Sequence, residues 1–255
     1  MSISLFDLSG RVALVTGSGQ GIGLSLARGL ASAGATIVLN DIVQDRLERA
    51  VAACRADGFD AHRSSFDVTS PEQVAAAVAQ IEETVGPVEI LVNNAALQFR
   101  APLEDFPIES WNKLMAVNVT GVFVVSQAIG RRMIQRGHGK IISVCSVQSE
   151  LARPSIAPYT ATKGAVKNLV KGMCADWARY GIQSNGIGPG YFVTEMTTQL
   201  ADDPTFDAWV KNRTPARRWG DVKELTGAVV FLASEASSYV NGQILYVDGG
   251  MLAAI

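Results

Sequence analysis

A short apolar run at residues 11–15 leads without a break into Thr16-Gly-Ser-Gly-Gln-Gly-Ile-Gly23, and residues 24–33 then carry apolar side chains at helical spacing. A run that short suits a strand buried on both faces. Strand, glycine loop and helix in that order turn free backbone N–H groups and the positive end of a helix toward a phosphate. Gly17 permits the tight turn, Gly21 the close approach of a pyrophosphate, and Gly23 the packing of helix on strand, with Gln20 and Ile22 between them. It is not a P-loop, because no Gly-Lys-Ser/Thr follows. A glycine loop with no ligand is the plain alternative, and the flanking elements weigh against it.

The rest of the chain repeats that alternation. Strands are expected at 35–40, 60–66, 88–92, 140–144, 182–188 and 243–247. Helices are expected at 44–57, after a cap at Thr69 or Ser70 with Pro71 in the first turn, at 106–135, around Tyr159 and Lys163, at 204–212 and at 221–233. Strand–helix alternation with no linker, repeat or low-complexity run predicts one α/β domain over residues 1–255. Its core is a doubly wound parallel sheet of about seven strands with helices on both faces. A mixed polar segment, 191–218, is expected to cover the substrate.

Charge and cysteine usage narrow the partners. A net charge of −2 gives no reason to expect nucleic acid or an anionic membrane. No signal-like segment is read at the N-terminus, and no apolar stretch is read as approaching a bilayer span. Cys54, Cys145 and Cys174 are odd in number and widely spaced, a reduced, cytoplasmic pattern. Cys145 ends an apolar run and reads as a buried strand residue. His62 and His138 lack neighbours that would make a metal site.

Chemistry-bearing residues gather at the strand ends. Asp41 follows the second strand about 20 residues beyond the glycine loop, placed to accept from an adenosine ribose or, alternatively, to cap the next helix. Asn93-Asn94-Ala95-Ala96 leaves room for a flat ligand or forms an Asx turn. Asn118, inside the long helix, reads first as a satisfied core polar group. Ser146 follows the fifth strand, and Tyr159 and Lys163 stand one turn apart on a helix opened by Pro158. An ammonium beside a phenol favours its anion, which makes Tyr159 a candidate general acid/base with Ser146 holding an oxygen substrate. A Tyr-x-x-x-Lys pair alone is as common on solvated helix faces.

Taken together, Thr16-Gly-x-x-x-Gly21-x-Gly23, Asp67, Asn93-Asn-Ala95, Asn118, Ser146, Tyr159-x-x-x-Lys163 and Pro189-Gly190 resemble the short-chain dehydrogenase/reductase family over essentially the whole length. The resemblance implies a Rossmann fold with a nicotinamide dinucleotide cofactor and a catalytic tetrad of Asn118, Ser146, Tyr159 and Lys163. Lys163 would lower the tyrosine pKa and hold the ribose, and Asn118 would keep a relay water. Asp67 and Val68 would flank the adenine and Asn94 and Ala95 the adenosine side. Pro189, Gly190, Phe192 and Thr194 would lie toward the nicotinamide. The family is usually tetrameric, so a homotetramer is expected. Ala96 stands where the family commonly has glycine, and Gly188 replaces a commoner small side chain.

A narrower resemblance to the gluconate 5-dehydrogenases rests on Cys145-Ser-Val-Gln-Ser-Glu-Leu-Ala-Arg-Pro, Pro189-Gly-Tyr-Phe-x-Thr-Glu-Met and Arg213-Thr-Pro-Ala-x-Arg-Trp-Gly, with Gln98-x-Arg100. It implies a sugar acid or polyol as substrate, with Arg100, Gln148, Arg153 and Tyr191 as binding candidates. Either arginine can equally be a solvated surface residue. Asp41 favours NAD over NADP, because a 2′-phosphate would meet a like charge, and Arg46 is the nearest cation. Two rivals remain: a relative acting on a steroid, polyol or 3-ketoacyl carbonyl, and a non-enzymatic dinucleotide sensor. The polar residues of the substrate side argue against an apolar ligand. The intact Ser-Tyr-Lys set argues against a sensor.

Overall fold

Strand β1 (Val12–Val15) is buried on both faces and lies inside a parallel sheet, third of seven strands. The computed structural model describes residues 4–254. Around β1 run β2 (Thr36–Leu39), β3 (Ala61–Arg63), β4 (Val88–Asn93), β5 (Gly139–Val144), β6 (Ile182–Pro189) and β7 (Ile244–Val247), in the order β3-β2-β1-β4-β5-β6-β7. Every pairing is parallel. The order reverses between β1 and β4, so a crevice opens there at the carboxyl ends of the strands.

Alternation along the strands divides the core in two. Ala13, Val15, Ile37, Leu39, Ile90 and Val92 face one side, against α1 (Gly21–Ser32), α2 (Gln44–Ala56) and α9 (Thr226–Ala233). Val12, Leu14, Val38 and Leu91 face the other, against α3 (Pro71–Thr84), the helix from Ile108 to Arg136 and α6 (Ala157–Trp177). Each fully buried aliphatic side chain stabilises the fold by about 1.5–3 kcal/mol before entropy is counted. The expected single doubly wound domain is present.

Several boundaries moved for identifiable reasons. The third strand stops at Arg63 rather than at 66, because Asn40 Nδ2 donates to the carbonyls of Ser64 (3.1 Å) and Phe66 (3.0 Å) and replaces the ladder there. Ser70, not Thr69, is the cap of α3, accepting from Gln73 N at 3.3 Å. The long helix comprises α4 (Ile108–Met115), a π turn (Ala116–Thr120) and α5 (Gly121–Arg136). At 29 residues it is long and apolar enough to cross a bilayer by length and composition, contrary to the expectation that none approaches that size. Val125, Ile129 and Met133 pack it on the sheet. The expected 221–233 helix divides into a 3-10 turn, Val222–Leu225, and α9, after a capping box made by Asp221 and Glu224. The covering segment holds α7 (Thr198–Ala201) and α8 (Pro204–Arg213), the latter capped by Asp203.

Gly188 has a packing cause. A Cβ there would lie 2.3 Å from Cδ1 of Tyr246, whose hydroxyl donates to Glu150 Oε1 at 2.7 Å. The ring occupies the space a side chain would need. Gly188→Ala should therefore cost about 1–3 kcal/mol, the usual scale for overpacking, read as a lower urea midpoint. Adding Tyr246→Leu should recover part of the loss; an unchanged midpoint in the single variant counts against this packing account.

Candidate active site

Between Thr16 and Gly21 the backbone leaves the sheet and enters α1, and side chains from neighbouring strand ends satisfy it. Asn94 Nδ2 donates to the carbonyls of Thr16 (3.0 Å) and Gly17 (2.8 Å), and the amides of Asn94 and Ala95 donate to Thr16 Oγ1. Gly17 N donates to Asn40 Oδ1 at 3.3 Å, and Ser18 Oγ donates to Val15 O at 2.7 Å. Gly17 adopts φ +61°, and a Cβ on it would lie 2.7 Å from Ala95 Cα, so glycine is required on both counts. Gln20 caps α1 with extended backbone and no side-chain bond. The first N–H groups of α1 thus point into the crevice without a side-chain cap, a fit for a pyrophosphate. Asn94, expected beside the adenosine, gives its side-chain amide to the loop. Asn40 and Ser18 were not singled out in the sequence; their only signal was a polar residue at a strand end or loop start.

Asp41 is 3% exposed and stands at the end of β2, but it is not the cap of α2, which is Val43 without a side-chain bond. Its Oδ1 accepts from Val43 N at 3.0 Å, at the entry to α2, and Arg46 clasps both oxygens, Nε to Oδ2 at 2.9 Å and a terminal nitrogen to Oδ1 at 2.5 Å. The nearest cation is thus already folded back. Asp67 accepts from Thr69 N and Oγ1, both at 2.8 Å, which orients the turn before α3, and Val68 is buried beside it.

Ser146 lies two residues beyond β5 and caps a 3-10 turn (Val147–Ser149), where its Oγ accepts from Gln148 N at 3.1 Å. Pro158 sits in the first turn of α6, which puts Tyr159 and Lys163 one turn apart as expected. Burial pushes the Tyr159 phenol up to about 12, and the Ser146 hydroxyl and the Arg100 guanidinium pull it back. Lys163 Nζ donates to Val144 O at 2.7 Å and stands 5.7 Å from the Tyr159 ring centroid, over the ring. Burial brings Lys163 itself down to about 8. Lys163 and Arg100 thus both bring positive charge near the phenol. Asn118, in the π turn, accepts from Leu97 N (2.7 Å) and donates to Leu97 O (2.9 Å) and Thr162 Oγ1 (3.2 Å). Its amide ties the 95–100 loop to α6, so the core-polar reading holds for the side chain.

The residues expected on the substrate side lie near one another. Arg100 donates to Gln98 Oε1 at 3.0 Å, Gln148 Nε2 donates to the Tyr191 hydroxyl at 3.4 Å, and Arg153 lies over the Phe206 ring at 5.1 Å. Nε of Arg100, Nε of Arg153 and Oε1 of Gln148 are all buried without a hydrogen-bond partner. Arg100 and Arg153 are close enough that each charge opposes the other, which with burial lowers the Arg100 pKa. Tyr191 is boxed edge-on by Phe206, Trp209 and Trp219 at centroid distances of 5.7, 5.6 and 5.7 Å. These three aromatics were missed, since single rings in a mixed segment carry no periodic signal.

Beyond β6, Gly190 N donates to Val247 O at 2.9 Å. Thr194 Oγ1 shares a bond with Thr197 Oγ1 at 3.1 Å. Phe192, expected near the nicotinamide, is 5% exposed, packs its ring against Gly220 and accepts from Thr197 Oγ1 through its carbonyl at 2.6 Å. Cys145 is buried, its thiol pushed up to about 11, and is inert. Among the described residues no cluster of three or more His, Cys, Asp or Glu side chains is placed to hold a metal ion.

Comparison with known proteins agrees with this arrangement. The family profile described as enoyl-(acyl carrier protein) reductase matches residues 17–252. Gluconate 5-dehydrogenase of Gluconobacter oxydans (strain 621H) is 57% identical over 251 residues, covering 98% of each chain. The 5-keto-D-gluconate 5-reductase of Escherichia coli (strain K12) is 54% identical, covering 98% of this chain and 99% of its own. A crystal structure of a gluconate 5-dehydrogenase from Burkholderia cenocepacia J2315, in complex with NADP and tartrate, superposes with TM-score 0.97 at 58% identity over 100% of both chains.

Lys163 carries a pH-dependent consequence. Its pKa falls from 10.5 to about 8 on burial, so between those values the unfolded chain holds a proton that the folded chain has released. Stability rises with pH across that window, and the cost of burying the ammonium is greatest below about pH 8. Lys163→Met removes this titration. The unfolding free energy of the variant minus that of the unmodified chain should fall by about 1–3 kcal/mol between pH 7.5 and 10. A difference that is flat with pH would show that Lys163 is not depressed.

Proposed function

The chain belongs to the short-chain dehydrogenase/reductase family, and from that premise we propose that it interconverts a secondary alcohol of a sugar acid and the matching ketone, D-gluconate and 5-keto-D-gluconate first among such pairs. One observation carries the substrate class: two guanidinium groups with partnerless buried Nε atoms converge beside the Tyr159 phenol, with a partnerless Gln148 oxygen between strand end and lid. A carboxylate with hydroxyl groups pairs such atoms, whereas a steroid or acyl chain leaves them unpaired at about 1–3 kcal/mol each. Tartrate, the hydroxy-dicarboxylate held by the Burkholderia relative, is a chemical stand-in for such an anion.

The bound dinucleotide supplies the hydride donor or acceptor. The chain's own residues handle the oxygen and its proton. Ser146 Oγ holds the substrate oxygen and Tyr159 Oη gives its proton to the forming alkoxide in reduction or takes it in oxidation. Burial keeps the phenol protonated at neutral pH, so it carries the proton that reduction consumes, and oxidation, which needs the phenolate, gains as pH rises. Lys163 holds the ribose from the Val144 side, and Asn118 acts by keeping the 95–100 loop in place. The cofactor fits at the uncapped α1 terminus, with Asp41 toward the adenosine ribose and Asp67 and Val68 toward the adenine.

We assign NAD as the preferred dinucleotide, because the buried Asp41 carboxylate accepts from ribose hydroxyls and repels a 2′-phosphate. Arg46 moderates that preference, since the guanidinium that clasps Asp41 can turn to a phosphate. Leu103, Ile108, Trp111 and Phe123, exposed on and beside α4 and α5, offer an apolar face to further copies of the chain and so support a homotetramer. Three free cysteines support a reducing, cytoplasmic setting.

Three outcomes test this reading. Tyr159→Phe should lower kcat by at least about 10²-fold with little change in dinucleotide affinity; near-normal turnover would remove Tyr159 from the chemistry. Arg100→Gln should raise KM for gluconate far more than KM for a neutral polyol, and equal effects on both would reject a carboxylate anchor. Asp41→Ala should erase most of the NAD preference in kcat/KM while Arg46→Ala widens it by about tenfold, which needs only about 1.4 kcal/mol. If Arg46→Ala leaves use of NADP unchanged, the guanidinium has no role in cofactor choice.

A further inference from the structure

Arg153 stands on a short loop, yet its guanidinium is held from above. Its Cζ lies 5.1 Å over the ring of Phe206, on α8, and a terminal nitrogen donates to Pro154 O at 3.3 Å. Phe206 is itself fixed. Asp203 Oδ1 accepts from Phe206 N at 3.3 Å, and the ring packs on Trp209 (5.3 Å), Trp219 (6.3 Å) and Tyr191 (5.7 Å). Trp219 Nε1 donates to Asp207 Oδ1 at 2.9 Å, which pins the box to the same helix. Two like charges, Arg100 and Arg153, face one space beside Tyr159 and Tyr191, and the Nε of each is buried without a partner. Mutual repulsion would swing the more mobile arginine outward unless something held it. A flat aromatic face is suited to hold a guanidinium by stacking and cation–π attraction.

Resting on the sugar-acid reading, we propose that Phe206 is a positioning residue for anion recognition: its ring, carried by the lid helix α8, presents Arg153 opposite Arg100, so the two arginines grip a carboxylate only with the aromatic box in place. Lid and anion site are then one unit. A neutral polyol, which needs neither arginine, is insensitive to the ring.

The test is a split between substrates and between constants. In the purified full chain, Phe206→Leu should raise KM for gluconate about tenfold with kcat within about threefold, and leave KM for a neutral polyol unchanged. Phe206→Tyr, which keeps the π face, should restore the gluconate KM. Arg153→Gln should add little in the Phe206→Leu background, because the two side chains act as one. Tartrate titrated against the fluorescence of Trp209 and Trp219 gives a readout independent of turnover, and its Kd should weaken about tenfold in Phe206→Leu. Gluconate KM unchanged in Phe206→Leu, equal losses for gluconate and polyol, or fully additive effects of the two substitutions would each overturn the proposal. If no sugar acid is turned over but tartrate binding still depends on Phe206, the activity reading fails and the positioning role stands. If gluconate is turned over and neither KM nor tartrate binding responds to Phe206, the reverse holds.

Discussion

The stapling of residues 16–18 to the ends of β1, β2 and β4 is the constraint on which the site depends. A glycine loop has no ladder of its own, and backbone polar groups buried without partners are costly. Thr16, Ser18, Asn40 and Asn94 supply those partners across the point where the strand order reverses. The result is a rigid turn that aims the start of α1 into the crevice. The uncapped start of α1, the acidic residue after β2 and the helix of Tyr159 and Lys163 are thereby held relative to one sheet.

A second theme is unpaid electrostatic tension. Tyr159 and Lys163 are both driven toward their neutral forms by burial, one upward to about 12 and the other downward to about 8. Two arginines face each other with unpartnered nitrogens. None of this stabilises the ligand-free fold. Perturbed groups of this kind collected in one crevice mark a place where chemistry and an anionic ligand supply the missing partners. The core clusters on both faces of the sheet provide the stability that tolerates them.

Much of the fold was legible because its signals are local. Buried strands read as apolar runs, glycine and proline punctuated the helices, and the alternation left one topology class. The failures were at places where a side chain replaces backbone pairing. Asn40 ends β3 early, and the π turn interrupts a helix whose apolar pattern is continuous. Side-chain contacts were illegible in the same way: the Asn94 amide braces the glycine loop and the Phe192 ring is buried.

By itself, then, the sequence determined the parallel α/β architecture, the phosphate-binding turn and the Ser146, Tyr159 and Lys163 set, because each depends on residue type at short spacing. Tertiary structure alone decided that Arg100 joins Lys163 near the phenol, that Arg46 clasps Asp41, and that Phe206, Trp209 and Trp219 enclose Tyr191. Those relations join segments separated by tens of residues, or turn on side-chain direction. Electrostatic and stacking energies fall steeply with distance and depend on burial, and neither quantity exists until the chain has folded.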